Sequence, residues 1–376
     1  MPNDYARPLR LWQPRRFEFG AGSAAEVGHW AREQGFARIH VLTTPVIAGQ
    51  IDRMGLPGSV TVFADVDPEP DSATLDRAIA AAQAADPDLV IGFGGGSVMD
   101  VAKLVTVLRG GFPLADAIGP NKVPARLNAL ALVPTTAGTG SEAGIRALVT
   151  NLATGAKAAV ESPHLMPDMV ALDPDLTMSV PPAVTAATGI DAMAHCVEAF
   201  TNRKSHPLID NYARLGFTLV ARFLPRAVAD GSDAEARAAL LLAAYYGGIC
   251  LGPVNTAAGH ALAYPLGTRL KLPHGHANAI IFPHVLAFNA PARPQKTAEV
   301  LSALGLPASD DPATVLHHAS GFCRTLGLDM RLSSHGANGD DLAGWAAEAH
   351  AIRRLMDNNP RAMAVAEVEA IYRAAF

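Results

Sequence analysis

The stretch DLVIGFGGGSVMDVAKLVTVL, residues 88–108, predicts a buried strand, a tight glycine turn and a helix in immediate succession. The apolar run before the glycines is typical of a strand in a parallel sheet that is covered on both faces. Gly94, Gly95 and Gly96 let the main chain turn sharply, and they carry no Cβ that would keep a phosphate away. Their N–H groups and that of Ser97 would point outward at a helix N-terminus, where anions bind favourably. The stretch therefore predicts a phosphate-binding turn.

The segments around this turn alternate between strand and helix patterns. Short β-rich runs occupy residues 38–45 and 59–66, and residues 71–85 form an alanine-rich stretch typical of a helix. Residues 127–144 again give an apolar strand, followed by a loop of small residues. Apolar strands that alternate with amphipathic helices predict a parallel sheet with helices on both faces. We therefore expect a doubly wound α/β domain.

The character of the sequence changes near residue 180. From Pro181 onward, alanine- and leucine-rich runs with helical periodicity replace the β-rich runs. These runs are residues 208–230, 233–251, 256–266, 276–290, 295–304 and 311–326. We expect residues 1–180 to form an α/β dinucleotide-binding domain and residues 181–376 to form an all-α metal-binding and substrate domain.

The composition is that of a compact globular enzyme. Of 376 residues, 49% are hydrophobic and 17% are charged, and the net charge is −5 without a long lysine or arginine run. This balance argues against nucleic acid or anionic lipid as a partner. Three cysteines without a CxxC pair suit a reducing compartment. Since the N-terminus lacks a signal-type apolar region and no apolar stretch reaches about 20 residues, we expect a soluble cytoplasmic protein without a membrane partner.

A second loop offers hydroxyl groups that can complement the glycine turn. The segment VPTTAGTGSEAG, residues 133–144, follows an apolar strand. Hydroxyls in such a loop can bind a ribose, a phosphate or a carboxamide, although a generic polar loop would look similar. Since both loops follow strands of the predicted parallel sheet, we expect them to act together at the same strand ends. The hydroxyl-bearing residues are Thr135, Thr136, Thr139 and Ser141.

The choice of coenzyme is not decided by the glycine turn. The string is not a strict GxGxxG, and no acidic residue follows it about 20 positions later, as the standard dinucleotide fingerprint requires. The first strand ends instead at Thr43 and Thr44, where an adenosine ribose would be read. A carboxylate there would favour NAD, and its absence leaves both NAD and NADP open.

One aspartate and three histidines form a candidate metal site. The segment GIDAMAHCVEAF places Asp191 and His195 four residues apart, on one apolar face of a predicted helix. A buried carboxylate must be paired or bind a metal. His260 and His274 follow beside glycine and proline breaks, and one carboxylate with three imidazoles suits Fe²⁺ or, alternatively, Zn²⁺. The alternative is that Asp191 caps a helix after Gly189 and that the histidines are merely hydrogen-bonded in a core.

Five segments resemble, in order, the motifs of the iron-containing (group III) alcohol dehydrogenases. They are GGGSVMDVAK, VPTTAGTGSEA, MPDMVALDPDLT, AATGIDAMAHCVEAF and GHALAYPLG…LPHGHANAIIFPHV. The resemblance implies a dinucleotide domain followed by a helical domain, the dehydroquinate synthase-like architecture. It also implies that the metal ligands are Asp191, His195, His260 and His274. The expected cofactor-binding residues are Thr43, Thr44, Gly94, Gly95, Gly96, Ser97, Asp100, Thr135, Thr136, Thr139, Ser141 and Lys157.

One position departs from the family pattern. Many members carry a second, substrate-facing histidine four residues after the third ligand, and this chain has Tyr264 there. A tyrosine can donate a hydrogen bond, but its ordinary pKa near 10 makes it a poorer proton shuttle at neutral pH. A proton would leave through water, the ribose hydroxyls, Tyr264 or His276, and the sequence does not choose among these routes. The TTP ending of the first strand also resembles the maleylacetate reductases, a related branch of the family.

The function expected from these features is metal-dependent hydride transfer. The substrates would be a primary or secondary alcohol, or its aldehyde or ketone, with NAD or NADP as coenzyme and a homodimer as the assembly. The alternatives are a maleylacetate reductase-like reduction of an enoate or keto acid and a dehydroquinate synthase-like lyase. The lyase would need a basic pocket, and no obvious one is formed by Arg203, Lys204, Arg269 and Lys271. A non-catalytic nucleotide-binding module would bind no metal at the Asp/His cluster.

Overall fold

The computed structural model describes residues 4–376, which fall into two compact units. Residues 11–179 form an α/β unit, and residues 4–10 and 180–376 form a helical unit. The first three residues of the predicted dinucleotide domain lie outside the described residues. The segment 4–10 was also predicted to belong to that domain, but it packs within the helical unit, where the Arg7 guanidinium donates to the Lys204 carbonyl at 2.8 Å.

The α/β unit carries the strands. They are β1 (Arg16–Phe19), β2 (Arg38–Leu42), β3 (Ser59–Phe63), β4 (Leu89–Gly94), β5 (Gly119–Pro120), β6 (Ala129–Pro134), β7 (Arg146–Asn151), β8 (Ala156–Glu161) and β9 (Met169–Leu172). Its α-helices are α1 (Ala25–Glu33), α2 (Ser72–Ala85), α3 (Gly96–Leu108) and α4 (Leu114–Ala117).

Six of the strands form one parallel sheet in the order β1-β9-β6-β4-β2-β3. The non-consecutive neighbours require crossover connections, which α2 and α3 provide as in other doubly wound sheets. This confirms the predicted α/β fold. A smaller sheet in the order β5-β8-β7 was not predicted, and it contains the antiparallel pair β7 and β8.

The residues of β4 show why the main sheet is covered on both faces. Leu89, Ile91 and Phe93 belong to a buried cluster that includes α1, whereas Val90 belongs to a second cluster that includes α2 and α3. Successive side chains of a strand point to opposite faces, so an uninterrupted apolar run requires a hydrophobic layer on each side. The carboxyl end of β4 is therefore held between two packed layers, directly before the glycine turn.

The helical unit contains ten α-helices within its described residues. They are α5 (Pro182–Thr201), α6 (Pro207–Ala229), α7 (Ala234–Leu251), α8 (Ala258–Leu270), α9 (His274–Asn289), α10 (Pro294–Ala303), α11 (Pro312–Thr325), α12 (Leu342–His350), α13 (Arg353–Met356) and α14 (Val365–Ala374). The helix α5 packs against α6, α7 and α9, and α8 packs against α9 and α12. These contacts bring together the three helices that carry the Asp/His residues.

One described helix, α7, has a length and apolar composition that would also suit a membrane span. Within it, 61% of the apolar window is buried inside the protein. A helix that is covered by its neighbours in this way is typical of a soluble core. We therefore interpret α7 as a core helix of the helical unit.

Candidate functional site

The glycine turn joins β4 to α3 with almost no intervening chain. The strand ends at Gly94 and the helix begins at Gly96, while Gly95 is the extended N-cap residue. A Cβ on Gly94 would lie 2.6 Å from the Val98 side chain, and a Cβ on Gly96 would lie 2.6 Å from Thr139. Both distances are too short for a real contact, so neither position accepts even alanine without a shift of its neighbours.

The second loop lies against this turn because its strand is adjacent in the sheet. In the β4–β6 register Gly94 pairs with Pro134, and the Thr135 N–H donates to the Gly94 carbonyl at 3.1 Å. A Cβ on Gly95 would lie 3.2 Å from the Thr136 hydroxyl. The threonines of the second loop thus line the N-terminus of α3, where main-chain N–H groups and the helix dipole favour an anion.

The residues that follow β2 contribute a third part of the same sheet edge. Thr43 is fully buried, and among the described residues its hydroxyl has no hydrogen-bond partner. Its N–H donates to the Phe63 carbonyl at 2.9 Å, and the Thr44 carbonyl accepts from the N–H groups of Ile47 and Ala48. A buried hydroxyl without a partner is uncommon in a native fold, which fits a position completed by a ligand.

Lys157, on β8, forms an ion pair within the α/β unit. Its ammonium forms an ion pair with Glu69, whose N–H donates to the Ser97 hydroxyl at 3.2 Å. The structure therefore brings Lys157 and Ser97 together through Glu69. The residue Glu69 was missed by the sequence reasoning, and its left-handed backbone (φ 55°) carries no sequence signal of the kind a glycine gives.

A buried lysine fastens the second loop to α3. Lys103 is fully buried, and its ammonium donates to the Ser141 carbonyl at 2.5 Å and to the Arg146 carbonyl at 2.9 Å. Asp100, one turn earlier, accepts from the Ser141 hydroxyl at 2.6 Å and from the Leu148 N–H at 2.9 Å. The predicted cofactor residues Asp100 and Ser141 thus bond to each other in this structure. Sequence reasoning missed Lys103, although a lysine among apolar helix residues is itself a signal.

The Asp/His residues converge in the helical unit on a single carboxylate oxygen. Asp191 and His195 lie on α5, His260 lies on α8 and His274 begins α9. From Asp191 Oδ1 the distances are 4.0 Å to His195 Nε2, 3.6 Å to His260 Nε2 and 3.8 Å to His274 Nε2. The first three residues are buried and His274 is half-buried. Since Asp191 lies in the middle of α5, the alternative of a helix N-cap is wrong.

The electrostatics of this cluster favour a bound cation. Burial alone would raise the pKa of Asp191, but the imidazoles of His195 and His274 hold it well below its usual range, so the carboxylate stays ionised. Among the described residues, His260 Nε2 is buried without a hydrogen-bond partner. A buried imidazole nitrogen without a partner beside an ionised carboxylate is the donor arrangement that a metal ligand requires. One oxygen and three nitrogens fit Fe²⁺ or Zn²⁺.

A second carboxylate, which the sequence reasoning missed, holds His260 from behind. Glu198 Oε1 lies 2.7 Å from His260 Nδ1, and Glu198 Oε2 accepts from the Ala257 N–H at 2.5 Å. A Cβ on Gly259 would collide with Glu198 Oε1, so the approach requires glycine. When Nδ1 donates to Glu198, the His260 imidazole can present the lone pair of Nε2 to a metal ion held beside Asp191. The spacing of 191, 195 and 198 along one helix face could have revealed it.

Asn278 closes another side of the cluster. Its amide nitrogen donates to Asp191 Oδ1 at 2.6 Å and lies 3.1 Å from His274 Nε2. Asn278 is one helical turn after His274 on α9, so both side chains reach the same side of the helix. The amide thus orients the carboxylate against the imidazole that begins α9. This contact was not predicted, although the four-residue spacing after His274 is visible in the sequence.

The two predicted proton-transfer residues lie in different surroundings. The Tyr264 ring stacks beside His274 with centroids 5.9 Å apart, and its hydroxyl accepts from Arg354 Nη2 at 3.2 Å. The His276 ring instead lies 3.0 Å from the Asp329 carbonyl. Residues two apart on a helix point to nearly opposite sides, so the structure brings Tyr264, and not His276, to the His274 ring.

This chain is similar to a known protein family along most of its sequence. The family described as "Iron-containing alcohol dehydrogenase" matches residues 14–174, and "Fe-containing alcohol dehydrogenase family, C-terminal" matches residues 185–376. The long-chain-alcohol dehydrogenase 1 of Geobacillus thermodenitrificans (strain NG80-2) is 34% identical over 98% of this chain and 96% of its own length.

Two solved structures show the same fold over nearly the whole chain. A 1,3-propanediol oxidoreductase superposes with a TM-score of 0.93 at 29% identity, covering 98% of this chain and 100% of that one. The sulfoacetaldehyde reductase from Bifidobacterium kashiwanohense, solved in complex with NAD⁺, gives a TM-score of 0.88 at 27% identity, covering 98% and 99%.

Proposed function

Because this chain belongs to the iron-containing alcohol dehydrogenase family, we propose that its Asp/His cluster holds the metal with which it interconverts an alcohol and an aldehyde or ketone. In the reductive direction, a carbonyl compound, NAD(P)H and a proton give the alcohol and NAD(P)⁺. The enzyme is thus an oxidoreductase that acts on small alcohols or aldehydes. The observation that carries the proposal is the convergence of three imidazoles on one buried, ionised carboxylate.

The proposed ligands are Asp191, His195, His260 and His274, with Fe²⁺ as the ion and Zn²⁺ as the alternative. When bound, such an ion supplies Lewis acidity toward the substrate oxygen. The chain's own groups supply orientation. Glu198 fixes the ring of His260, Asn278 fixes the carboxylate of Asp191, and burial of the cluster limits the access of water.

We assign the proton relay to Tyr264. Arg354 donates to its hydroxyl oxygen, so the phenolic O–H remains available to donate in another direction. His276 is a weaker candidate because its ring is hydrogen-bonded to the Asp329 carbonyl.

The nucleotide site is proposed at the carboxyl edge of the main sheet. Gly94, Gly95, Gly96 and Ser97 would hold the pyrophosphate on the N-terminus of α3, and the threonine hydroxyls of the second loop would bind the nicotinamide half. Thr43 and Thr44 are uncharged, so they repel neither a ribose 2′-hydroxyl nor a 2′-phosphate. We therefore propose that the enzyme accepts NADP as well as NAD.

The cellular setting is also a proposal. The three cysteines are free and buried, as suits a reducing cytoplasm. A homodimer is proposed because twofold dimers are the commonest soluble assemblies. Light scattering on the purified enzyme would measure its mass in solution.

The metal proposal is tested by Asp191→Ala. Removing the only carboxylate among the four proposed ligands should abolish both bound metal, measured by elemental analysis, and turnover, measured by nicotinamide absorbance. Asp210→Asn is the matched control, because Asp210 is a part-buried carboxylate on α6 that pairs with Lys296 and touches no proposed ligand. If Asp191→Ala retained full turnover without metal, the assignment would be wrong.

A further inference from the structure

Two adjacent arginines on α13 have different surroundings. Arg353 forms an ion pair with Asp357, one turn later, and lies 3.2 Å from His350 Nε2. Arg354 has no carboxylate within ion-pair distance among residues 4–376. Its guanidinium donates instead to the Tyr264 hydroxyl at 3.2 Å and lies 5.6 Å from the centre of that ring. The same short helix thus presents one neutralised cation and one cation without a counter-charge.

The cation without a counter-charge lies next to the reaction centre. Tyr264 is one helical turn after His260, so both side chains lie on the same side of α8. The rings of Tyr264 and His274 are in contact, with centroids 5.9 Å apart. A single tyrosine ring therefore separates Arg354 from a proposed metal ligand. Burial decreases along this path, from the buried Asp191 through the half-buried His274 and Tyr264 to the exposed Arg354.

A guanidinium in this position can bind an uncharged alcohol only through hydrogen bonds to a neutral oxygen, which are weaker than its bonds to an anion. Arginine carries five N–H donors in a planar fork, and one of them suffices for the Tyr264 hydroxyl. The remaining donors match a carboxylate or sulfonate, and bonds to such groups are stronger than bonds between neutral groups. Because the ring of Tyr264 and its hydroxyl fix the guanidinium, little rotamer freedom is lost when an anion binds.

We propose that Arg354 binds an anionic group at the far end of the substrate, so that the preferred substrates are short-chain oxo acids and hydroxy acids. The anion would pair with the guanidinium while the carbonyl or alcohol group lies at the Asp/His cluster. This assignment rests on the proposed function, since it supposes that substrate oxygen is activated at that cluster. Arg354 is then a specificity-determining residue, and Tyr264 holds it in place.

The test compares two four-carbon aldehydes that differ in one terminal charge, succinic semialdehyde and butanal. The metal-loaded enzyme should prefer succinic semialdehyde. Arg354→Met should lower kcat/KM for succinic semialdehyde about 10- to 100-fold, mostly through KM, because a charge-assisted hydrogen bond is lost. Loss of the Arg354 contact to the Tyr264 hydroxyl should change kcat for both aldehydes alike, so the ratio of the two kcat/KM values should fall by about 10- to 100-fold. Arg354→Lys should recover part of the loss, because it restores the charge without the fork.

Arg353→Met is the matched control, since it removes a neighbouring arginine of the same helix. It should leave the ratio of the two kcat/KM values unchanged. If Arg354→Met lowered kcat/KM equally for both aldehydes, the anion assignment would be overturned while the dehydrogenase function stood.

Direct binding of succinate separates this inference from the proposed function. Calorimetric titration of the metal-loaded enzyme with succinate needs no turnover. The Kd of succinate should rise by the same factor in Arg354→Met and should be unchanged in Arg353→Met. An unchanged Kd in Arg354→Met would overturn the assignment. An enzyme that bound succinate through Arg354 but reduced neither aldehyde would refute the proposed function instead.

Discussion

Replacing Glu198 with glutamine should weaken metal binding without removing a ligand. The carboxylate accepts two hydrogen bonds at once, one involving His260 Nδ1 at 2.7 Å and one from the Ala257 N–H at 2.5 Å. A carboxamide of the same size has only one acceptor oxygen. Its NH₂ group must therefore face either the imidazole N–H or the main-chain N–H, so one buried donor is left without an acceptor.

The magnitude follows from these two contacts. An unsatisfied buried donor costs about 1–3 kcal/mol. Loss of the partner that orients a metal-bound histidine typically costs about 10- to 100-fold in affinity, or about 1.4–2.7 kcal/mol. We expect the Kd for Zn²⁺ to rise by about 10- to 100-fold in Glu198→Gln, because the His260 ring is no longer held with Nε2 toward Asp191.

The assay is competition with a chelator of known affinity, together with the visible absorption of the Co²⁺-substituted enzyme. The absorption reports the geometry of the site and would not respond to a general loss of stability. Asp210→Asn again serves as the control, since it removes an ion pair of the same helical unit and should leave both readouts unchanged. Wild-type affinity and an unaltered Co²⁺ spectrum in Glu198→Gln would refute the positioning role of Glu198.

Two further predictions concern the α/β unit. Gly96→Ala should raise the Kd of NAD(H) at least about tenfold, because a Cβ would lie 2.6 Å from Thr139 and displace the second loop, while bound metal stays at the wild-type level. Nucleotide fluorescence titration measures this Kd, and an unchanged Kd would exclude the turn as the phosphate site. Burial raises the pKa of Glu142 from its usual 4.5 to about 7. The protonated carboxyl of Glu142 therefore stabilises the fold fully below pH 4.5, and this contribution to the free energy of unfolding is lost as pH rises through 7. Above pH 7, the free energy of unfolding of Glu142→Gln should exceed that of the wild type by about 1–3 kcal/mol, and below pH 4.5 the two should be equal. Denaturant titrations measure both values, and a difference that does not depend on pH would contradict this reasoning.

The parallel sheet could be predicted because its strands are buried on both faces. The run that ends at Gly94 is apolar at every position, and only a doubly covered strand tolerates that pattern. The antiparallel pair β7 and β8 gave no such signal. Buried and partly exposed positions alternate along both strands, but apolar residues such as Leu148 and Ala159 also occupy partly exposed positions, so the hydrophobicity of the sequence does not show the alternation.

The four Asp/His residues could be named from the sequence, but the side chains that orient them, Glu198 and Asn278, could not be distinguished from other polar residues of the same helices. Glu198 shares the helix face of Asp191 and His195, yet the sequence does not show that a loop residue 59 positions later, Ala257, donates to the same carboxylate. The placement of Arg354 beside Tyr264 depends on the packing of α13 against α8, which joins residues 90 positions apart. Contacts over such separations are set by tertiary packing and leave no local pattern.

The attachment of the second loop to α3 also bears on the entropy of coenzyme binding. Lys103 and Asp100 hold the segment from Ser141 to Leu148 with hydrogen bonds from α3, the helix whose first turn is the proposed phosphate site. Both walls of the proposed nucleotide site are therefore parts of one rigid body before any ligand arrives. Since an ordered site loses little conformational freedom on binding, most of the contact energy with the coenzyme is retained as affinity.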